Sequence, residues 1–214
     1  MKILSLLFYF LAHHGVWSFL LFLALGTLLC AWRKKTIYII IAFILAILNV
    51  FTGQFANAWF LARFGIRGSA VITFSQQTNS TLNDEYIWDY DVVVKTAEGK
   101  DVVTGFSTTT ASLYPIRNQI LIPPEGERFV VKYIPGFEKN IAIMVNESPY
   151  GKRLLVVENK QPLIKAERQY QTSENNAAFR EEYRKAIQTF IDDPENAWDS
   201  ISIRHYREVL RGLP

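Results

Sequence analysis

Cysteine is almost absent from this chain. Cys30 is the only one among 214 residues, so no intrachain disulfide and no cysteine metal cage is available. Histidine is nearly as scarce: His13, His14 and His205 are the full set. Beyond residue 67 a single imidazole is left to serve as a general base, which argues against histidine-activated nucleophilic catalysis. There is no G-x-S-x-G elbow and no glycine-rich phosphate loop, so the common nucleotide-binding frameworks are not indicated. Acids are missing from a whole region. Residues 1–67 hold Lys2, Arg33, Lys34, Lys35, Arg63 and Arg67 and no Asp or Glu. The apolar runs inside that region carry no acid or lysine for a proton or ion relay, which argues against a pump or carrier.

What that region does contain is hydrophobic length. Residues 3–12, 16–32 and 37–51 are nearly continuous apolar runs, and a softer stretch continues to about Leu61. A helix crosses a bilayer with about 20 apolar residues. The pattern predicts an anchor over residues 1–65 with two spans, at about 16–32 and 37–59. Residues 1–12 are too short to span alone; they extend the first helix or lie in the interface before a break near Gly15. Leu11-Ala12-His13 is a poor small-x-small cleavage site, so an uncleaved anchor is expected rather than a signal peptide. Asn49, Thr52, Gln54 and Asn57 are candidates for helix–helix hydrogen bonds. The short basic loop at Arg33, Lys34 and Lys35 favours a cytoplasmic loop, with both ends and the soluble part outside the cytoplasm.

The charge is distributed unevenly. Residues 1–67 carry +6, residues 68–145 carry −3, and residues 146–214 are neutral, for a net +3. The basic surplus flanks hydrophobic runs instead of covering a soluble face, so membrane lipid is the expected partner and nucleic acid is not.

From Gly68 the periodicity changes from helical to alternating, defining an expected β domain over residues 66–146. Strands are predicted at 68–74, 86–94, 101–106, 127–133 and 140–145, with a polar loop at 76–85 and an irregular stretch at 107–125. Tyr86, Trp88, Tyr90, Val92 and Val94 share one face of the second strand. Five short strands bury their apolar faces most economically by curling into a barrel-like antiparallel sheet. Three motifs stand out: Gly68-Ser69-Ala70-Val71 after the anchor, Tyr90-Asp91-Val92-Val93 before Glu98-Gly99, and Val131-Lys132-Tyr133-Ile134-Pro135 before Asn140-Ile141-Ala142-Ile143. Over about residues 37–145 the chain resembles a bacterial family of membrane-anchored small-β-domain proteins of unknown function. The resemblance implies an envelope location and a non-enzymatic module. It brings no family active site, and the long C-terminal extension departs from the family's pattern.

That extension, residues 147–214, is predicted to form a helical hairpin, with helices at about 174–191 and 194–211. Ser173 is the expected cap of the first, whose face is Phe179, Tyr183, Ala186, Ile187 and Phe190. Asp193-Pro194-Glu195 opens the second, whose face is Trp198, Ile201, His205, Val209 and Leu210. The whole chain thus reads as a membrane-anchored α+β protein: a transmembrane helical hairpin, a small five-stranded antiparallel barrel-like domain, and a C-terminal helical hairpin.

No residue set nominates a catalytic centre, a metal site or a cofactor. His205 sits on a predicted apolar face. The carboxylate pairs Asp84/Glu85, Asp89/Asp91 and Asp192/Asp193 fall on a loop, a polar strand face and a helix cap, where structural roles account for them. Partner binding remains. The candidates are Asn79 and Thr81 in the first loop, Thr108, Thr109 and Tyr114 in the hydroxyl-rich stretch 107–114, and Trp198 and Tyr206 on the helical hairpin. The expected function is a membrane-anchored binding or accessory protein in the bacterial inner membrane, its β domain in the periplasm and its partner an envelope complex. A toxin immunity protein is the sharper form, and an oligomer is compatible with either. The alternatives are a membrane-bound hydrolase with a degenerate site and a subunit of an oligomeric channel.

Overall fold

A computed structural model describes all 214 residues and divides them into two compact units, Met1–Ser148 and Pro149–Pro214. The first opens with three helices: α1 (Lys2–His13), α2 (Gly15–Arg33) and α3 (Ile37–Phe64). Two of them, α2 and α3, are long and apolar enough to cross a membrane. The chain breaks at His14 (φ −123°, ψ 61°), so residues 2–13 form a helix of their own. The long α3 is shared between the other two. Gly26 of α2 packs on Ala42, Tyr38 and Ile39. Further along α3, Gly53 lies against the Leu11 and Ala12 backbone of α1, and Phe8 stacks on Phe60 at 4.6 Å. Asn49 ties all three, donating to the Leu11 carbonyl (3.1 Å) and to Ser18 Oγ (2.9 Å). Thr52 and Gln54 bond only to carbonyls of their own helix.

The sheet follows at once. Its strands are β1 (Ile66–Leu82), β2 (Glu85–Lys95), β3 (Asp101–Ser107), β4 (Leu113–Tyr114), β5 (Arg128–Ile134) and β6 (Phe137–Met144), in the order β3-β2-β1-β5-β6-β4. This corrects the expected five antiparallel strands. The sixth, β4, comes from the stretch read as irregular and pairs parallel with β6. It is two residues long because Pro115, which has no amide proton, follows it. Nor is the sheet closed. It curls until Thr104 Oγ1 on edge strand β3 donates to the Lys139 carbonyl on β6 (2.8 Å), but no backbone ladder joins those strands. Inside the curl lie Ala70, Ile72, Val92, Val94, Phe106, Phe129, Val131 and Ile143, all buried.

The expected polar loop at 76–85 is also replaced. β1 runs on to Leu82 and pairs with β2 as far as Glu85, leaving a two-residue turn. Asn83 (φ 52°) and Asp84 (φ 65°) supply the left-handed conformation that such a turn needs. Outside the core both faces of this ribbon meet solvent, so β1 shows no apolar alternation there. Extra residues near Thr73 and at 78–80 break the register; Thr78 Oγ1 reaches the Ile87 carbonyl (2.8 Å) across the second irregularity.

A buried polar network joins helices to sheet. The side-chain amides of Asn57 and Asn140 bond each other reciprocally at 2.8 and 2.9 Å. Asn57 also donates to Ser112 Oγ (2.9 Å), and Asn140 donates to the carbonyl (3.0 Å) and hydroxyl (3.1 Å) of Ser5. All four residues are buried. Lys132 Nζ caps the end of α3 on the Ala62 carbonyl (2.7 Å). β6 is buried from Asn140 to Met144 without alternation; Ala142 on it packs with Phe60 and Leu61 of α3.

The second unit has three helices, not two: α4 (Pro149–Thr172), α5 (Ala177–Asp192) and α6 (Ser200–Gly212). Pro162 lies inside α4, where its ring removes one helical bond and masks the apolar spacing of Val156, Leu163, Ala166 and Tyr170. Those residues pack with Tyr183, Ile187, Phe190 and Tyr206. The cap of α5 is Asn176, not Ser173; its Oδ1 accepts from Ala178 N (2.9 Å) and Phe179 N (3.4 Å). Residues Pro194–Trp198 form a 3₁₀ turn before α6 starts. The buried side of α6 is Ile203, Tyr206, Val209 and Leu210, while Trp198, Ile201 and His205 are exposed; Val209 and Leu210 belong to the expected face, and Ile203 and Tyr206 take the place of Ile201 and His205. Asp199 caps α6 through Ser202 N (3.1 Å) and pairs with Lys160 Nζ (2.7 Å). Partial burial alone would raise its pKa, but the bonds from Lys160 and Ser202 outweigh it and hold the carboxyl down to about 2.

Candidate partner-binding cleft

The face of β2 that enters the core at Val94 and Val92 continues outward as Tyr90, Trp88 and Tyr86. Successive side chains of this row stand roughly 6.6 Å apart, two residues of strand rise. With no helix or sheet above them, Tyr86 is 54% and Trp88 37% exposed. Opposite them passes the segment between β4 and β5, where Ile120 is 53% exposed. Between arm and segment lies an open cleft of about 550 Å³, lined by Gln77, Asp84, Glu85, Tyr86, Trp88, Tyr90, Thr108, Ile120 and Ile122.

Backbone and ring contacts hold this cleft in shape. Thr108 bonds Trp88 from both sides: its N–H donates to the Trp88 carbonyl (2.8 Å), and its Oγ1 accepts from Trp88 N (3.0 Å). Tyr90 packs on Phe106 at 5.3 Å between ring centroids. The far wall is tied to the arm by Ser75 Oγ donating to Glu125 Oε2 (2.6 Å) and Gly126 N donating to the Ile72 carbonyl (2.9 Å). Tyr and Trp have few side-chain torsions to lose when they are covered, which makes them frequent anchors at interfaces.

The arm formed by the outer halves of β1 and β2 carries charge of one sign. Residues 74–91 contain Asp84, Glu85, Asp89 and Asp91 and no Lys or Arg. Asp84 and Glu85 line the cleft at the tip of the arm. Asp89 and Asp91 point to the other face of β2, one residue out of phase with the aromatic row.

No protein-family model, curated protein or solved structure matches the chain.

Of the residues singled out by sequence, Thr108 lines the cleft. Asn79 and Thr81 are exposed on the same arm but outside the lining. Thr109 is half-buried, its hydroxyl 3.0 Å from Ser107 Oγ. Tyr114 is half-buried in β4. Within the helical unit Trp198 is 53% exposed, with Lys152 Nζ 5.6 Å above its ring, whereas Tyr206 is buried in the core. The stretch 107–114 is less open than its hydroxyl content implies: Ala111 and Ser112 are buried. His205 is exposed and lies edge-on to Tyr206 at 5.0 Å. The residues that sequence reasoning passed over are Tyr86, Trp88 and Tyr90. Their signal was present: the apolar face of β2 is longer than a small core needs.

Proposed function

We propose that this protein is a non-enzymatic, membrane-anchored binding protein of the bacterial inner membrane, which holds its sheet in the periplasm and engages a protein partner through the aromatic cleft. The observation that carries the reading is the joint between helices and sheet. α3 is about 42 Å long at 1.5 Å per residue, against roughly 30 Å of hydrocarbon core. Its surplus at the C-terminal end is the part bonded to the sheet through Asn57. A span built this way carries the cleft as one body with the membrane anchor and has no flexible linker between them. The exposed bulky side chains of α1, α2 and α3, among them Ile3, Leu20, Leu28, Ile41, Ile44 and Phe51, suit lipid contact. Trp59, 53% exposed near the sheet end of α3, suits the membrane interface. The basic loop at Arg33, Lys34 and Lys35 supports a cytoplasmic loop, and hence a periplasmic sheet.

An immunity protein against a toxin acting in the periplasm or at the inner membrane is the specific form of this reading. A rigid, anchored, acidic and aromatic surface suits such a blocking role, as does the resemblance of residues 37–145 to anchored β-domain proteins.

The test is a single cysteine on the arm. Ser112 is unsuitable because it is buried against Asn57; Ser80 is exposed. Ser80→Cys in a Cys30→Ser background is expected to react with a membrane-impermeant maleimide in intact cells. Reaction only after lysis overturns the periplasmic reading. Recovery of the protein in the soluble fraction overturns the anchor.

A further inference from the structure

We infer that the cleft takes a cationic protein segment, in which a Lys or Arg side chain lies over the rings of Tyr86 and Trp88 and its charge meets Asp84 and Glu85. The inference rests on the binding reading above and names the chemistry of the partner. Three observations converge. The rings of Tyr86 and Trp88 are exposed, on a strand whose backbone is held at Trp88 by two bonds to Thr108, and Tyr90 packs on Phe106. The only formal charges in the lining are the two carboxylates. The whole arm over residues 74–91 has four acids and no base, so its field attracts cations before contact and repels anionic surfaces.

The geometry separates this occupant from the other that an aromatic row admits, a sugar chain. A saccharide would pair its hydroxyls with Gln77, Asp84, Glu85 and Thr108 on the arm side and leave the opposite wall without a polar partner. Here the opposing wall is Ile120 and Ile122, which pairs with the aliphatic stem of a basic side chain or with its apolar neighbour. A guanidinium or ammonium group over an aromatic face, with a carboxylate alongside, gains from both the ring quadrupole and the counter-charge. Asp84, in the turn, precedes Tyr86 by two residues, roughly 7 Å of chain, so a long basic side chain over Tyr86 and Trp88 brings its charge, or that of its neighbour, to this end of the cleft, where Glu85 adds to the negative field. The occupant is therefore an extended segment alternating basic and apolar residues.

The experiment uses the full chain in nanodiscs of zwitterionic phosphatidylcholine, with empty nanodiscs as reference. The probes are two fluorescein-labelled eight-residue peptides, one alternating Lys with Leu and one alternating Glu with Leu, read by anisotropy. A hexamer of N-acetylglucosamine serves as competitor. The Lys peptide is expected to bind at least about 10-fold more tightly than the Glu peptide, and to weaken as salt shortens the Debye length. Trp88→Ala is expected to weaken it by about 10-fold or more, as anchor residues do. The double variant Asp84→Asn, Glu85→Gln, which changes only exposed side chains, is expected to weaken it by roughly 5-fold and to flatten the salt dependence. Glu174→Gln, in the helical unit, is expected to bind as the parent does.

Equal binding of the two peptides, or insensitivity to the Asp84/Glu85 double variant, overturns the inference. Displacement of the Lys peptide by the sugar hexamer overturns it in favour of a saccharide. These outcomes are separate from the topology test. Maleimide labelling of Ser80→Cys only after lysis defeats the periplasmic reading and leaves a cationic preference standing. A missing preference with labelling intact defeats only the charge assignment.

Discussion

Asn57 and Asn140 sit 83 positions apart in the chain and satisfy each other with two hydrogen bonds in a space closed to water. Each buried amide depends on the other, because an unpaired polar group there keeps its full desolvation cost. Replacing Asn140 by Leu leaves the Asn57 amide oxygen without a donor, its nitrogen bonded to Ser112 alone, and removes the partner of Ser5. The expected loss is about 1–3 kcal/mol, read as a lower denaturation midpoint in detergent micelles. The double variant Asn57→Leu, Asn140→Leu is expected to lose less than the sum of the single changes, because the pair acts as one unit. Additive losses would show that the two amides act independently. Sequence alone marked Asn57 as a polar residue near the end of an apolar run, and it read Asn140 only as part of a strand. Neither residue type carries a label for its partner; only the fold brings them together.

Elements were legible in proportion to how cleanly one face is buried. The alternation of β2, β3 and β5 appears directly in the sequence because one side of each faces the core. The outer half of β1 shows no such pattern, since the ribbon it forms is wet on both sides, and it was read as a loop. Pro162 hid α4, and the face that α6 buries is the one that meets Tyr183, Ile187 and Phe190, a choice its own spacing does not record. At the level of helix packing, Gly53 governs how closely α1 approaches α3. A Cβ there would stand 2.8 Å from the Leu11 carbonyl oxygen, and backbone has little room to yield. Gly53→Leu is expected to destabilise the fold by about 1–3 kcal/mol through overpacking, measured as a drop in thermal midpoint. Gly15→Ala, with nothing within 4 Å of its added carbon, is expected to change that midpoint little, within about 0.5 kcal/mol. Equal effects at both glycines would remove the close approach as the cause.

At the scale of the whole molecule, the proposed orientation in the membrane rests on charge. The first 67 residues have six bases and no acid, and three of those bases lie at the end of α2 and in the loop that leads to α3. Arg33→Glu, Lys34→Glu and Lys35→Glu together remove the charge bias on which the proposed topology, with this loop in the cytoplasm, rests. The triple variant is expected to reduce labelling of Ser80→Cys in intact cells and to raise the fraction labelled only after lysis. Unchanged labelling would mean that folding of the sheet, rather than the positive loop, commits the topology.

The sequence by itself determined what depends on neighbours along the chain. It placed the long apolar helices, the basic loop between them, the switch from period 3.6 to period 2 near Gly68, and the acidic character of the arm. Tertiary structure alone decided what depends on contacts distant in sequence. It joined α1 and α3 to β6 through buried amides, left the sheet open with a sixth strand, and buried Tyr206 while exposing Trp198. It also set Tyr86, Trp88 and Tyr90 opposite Ile120. The physical reason is that hydrophobic periodicity is written in each element's own residues, whereas a cleft forms only where two elements leave a space between them.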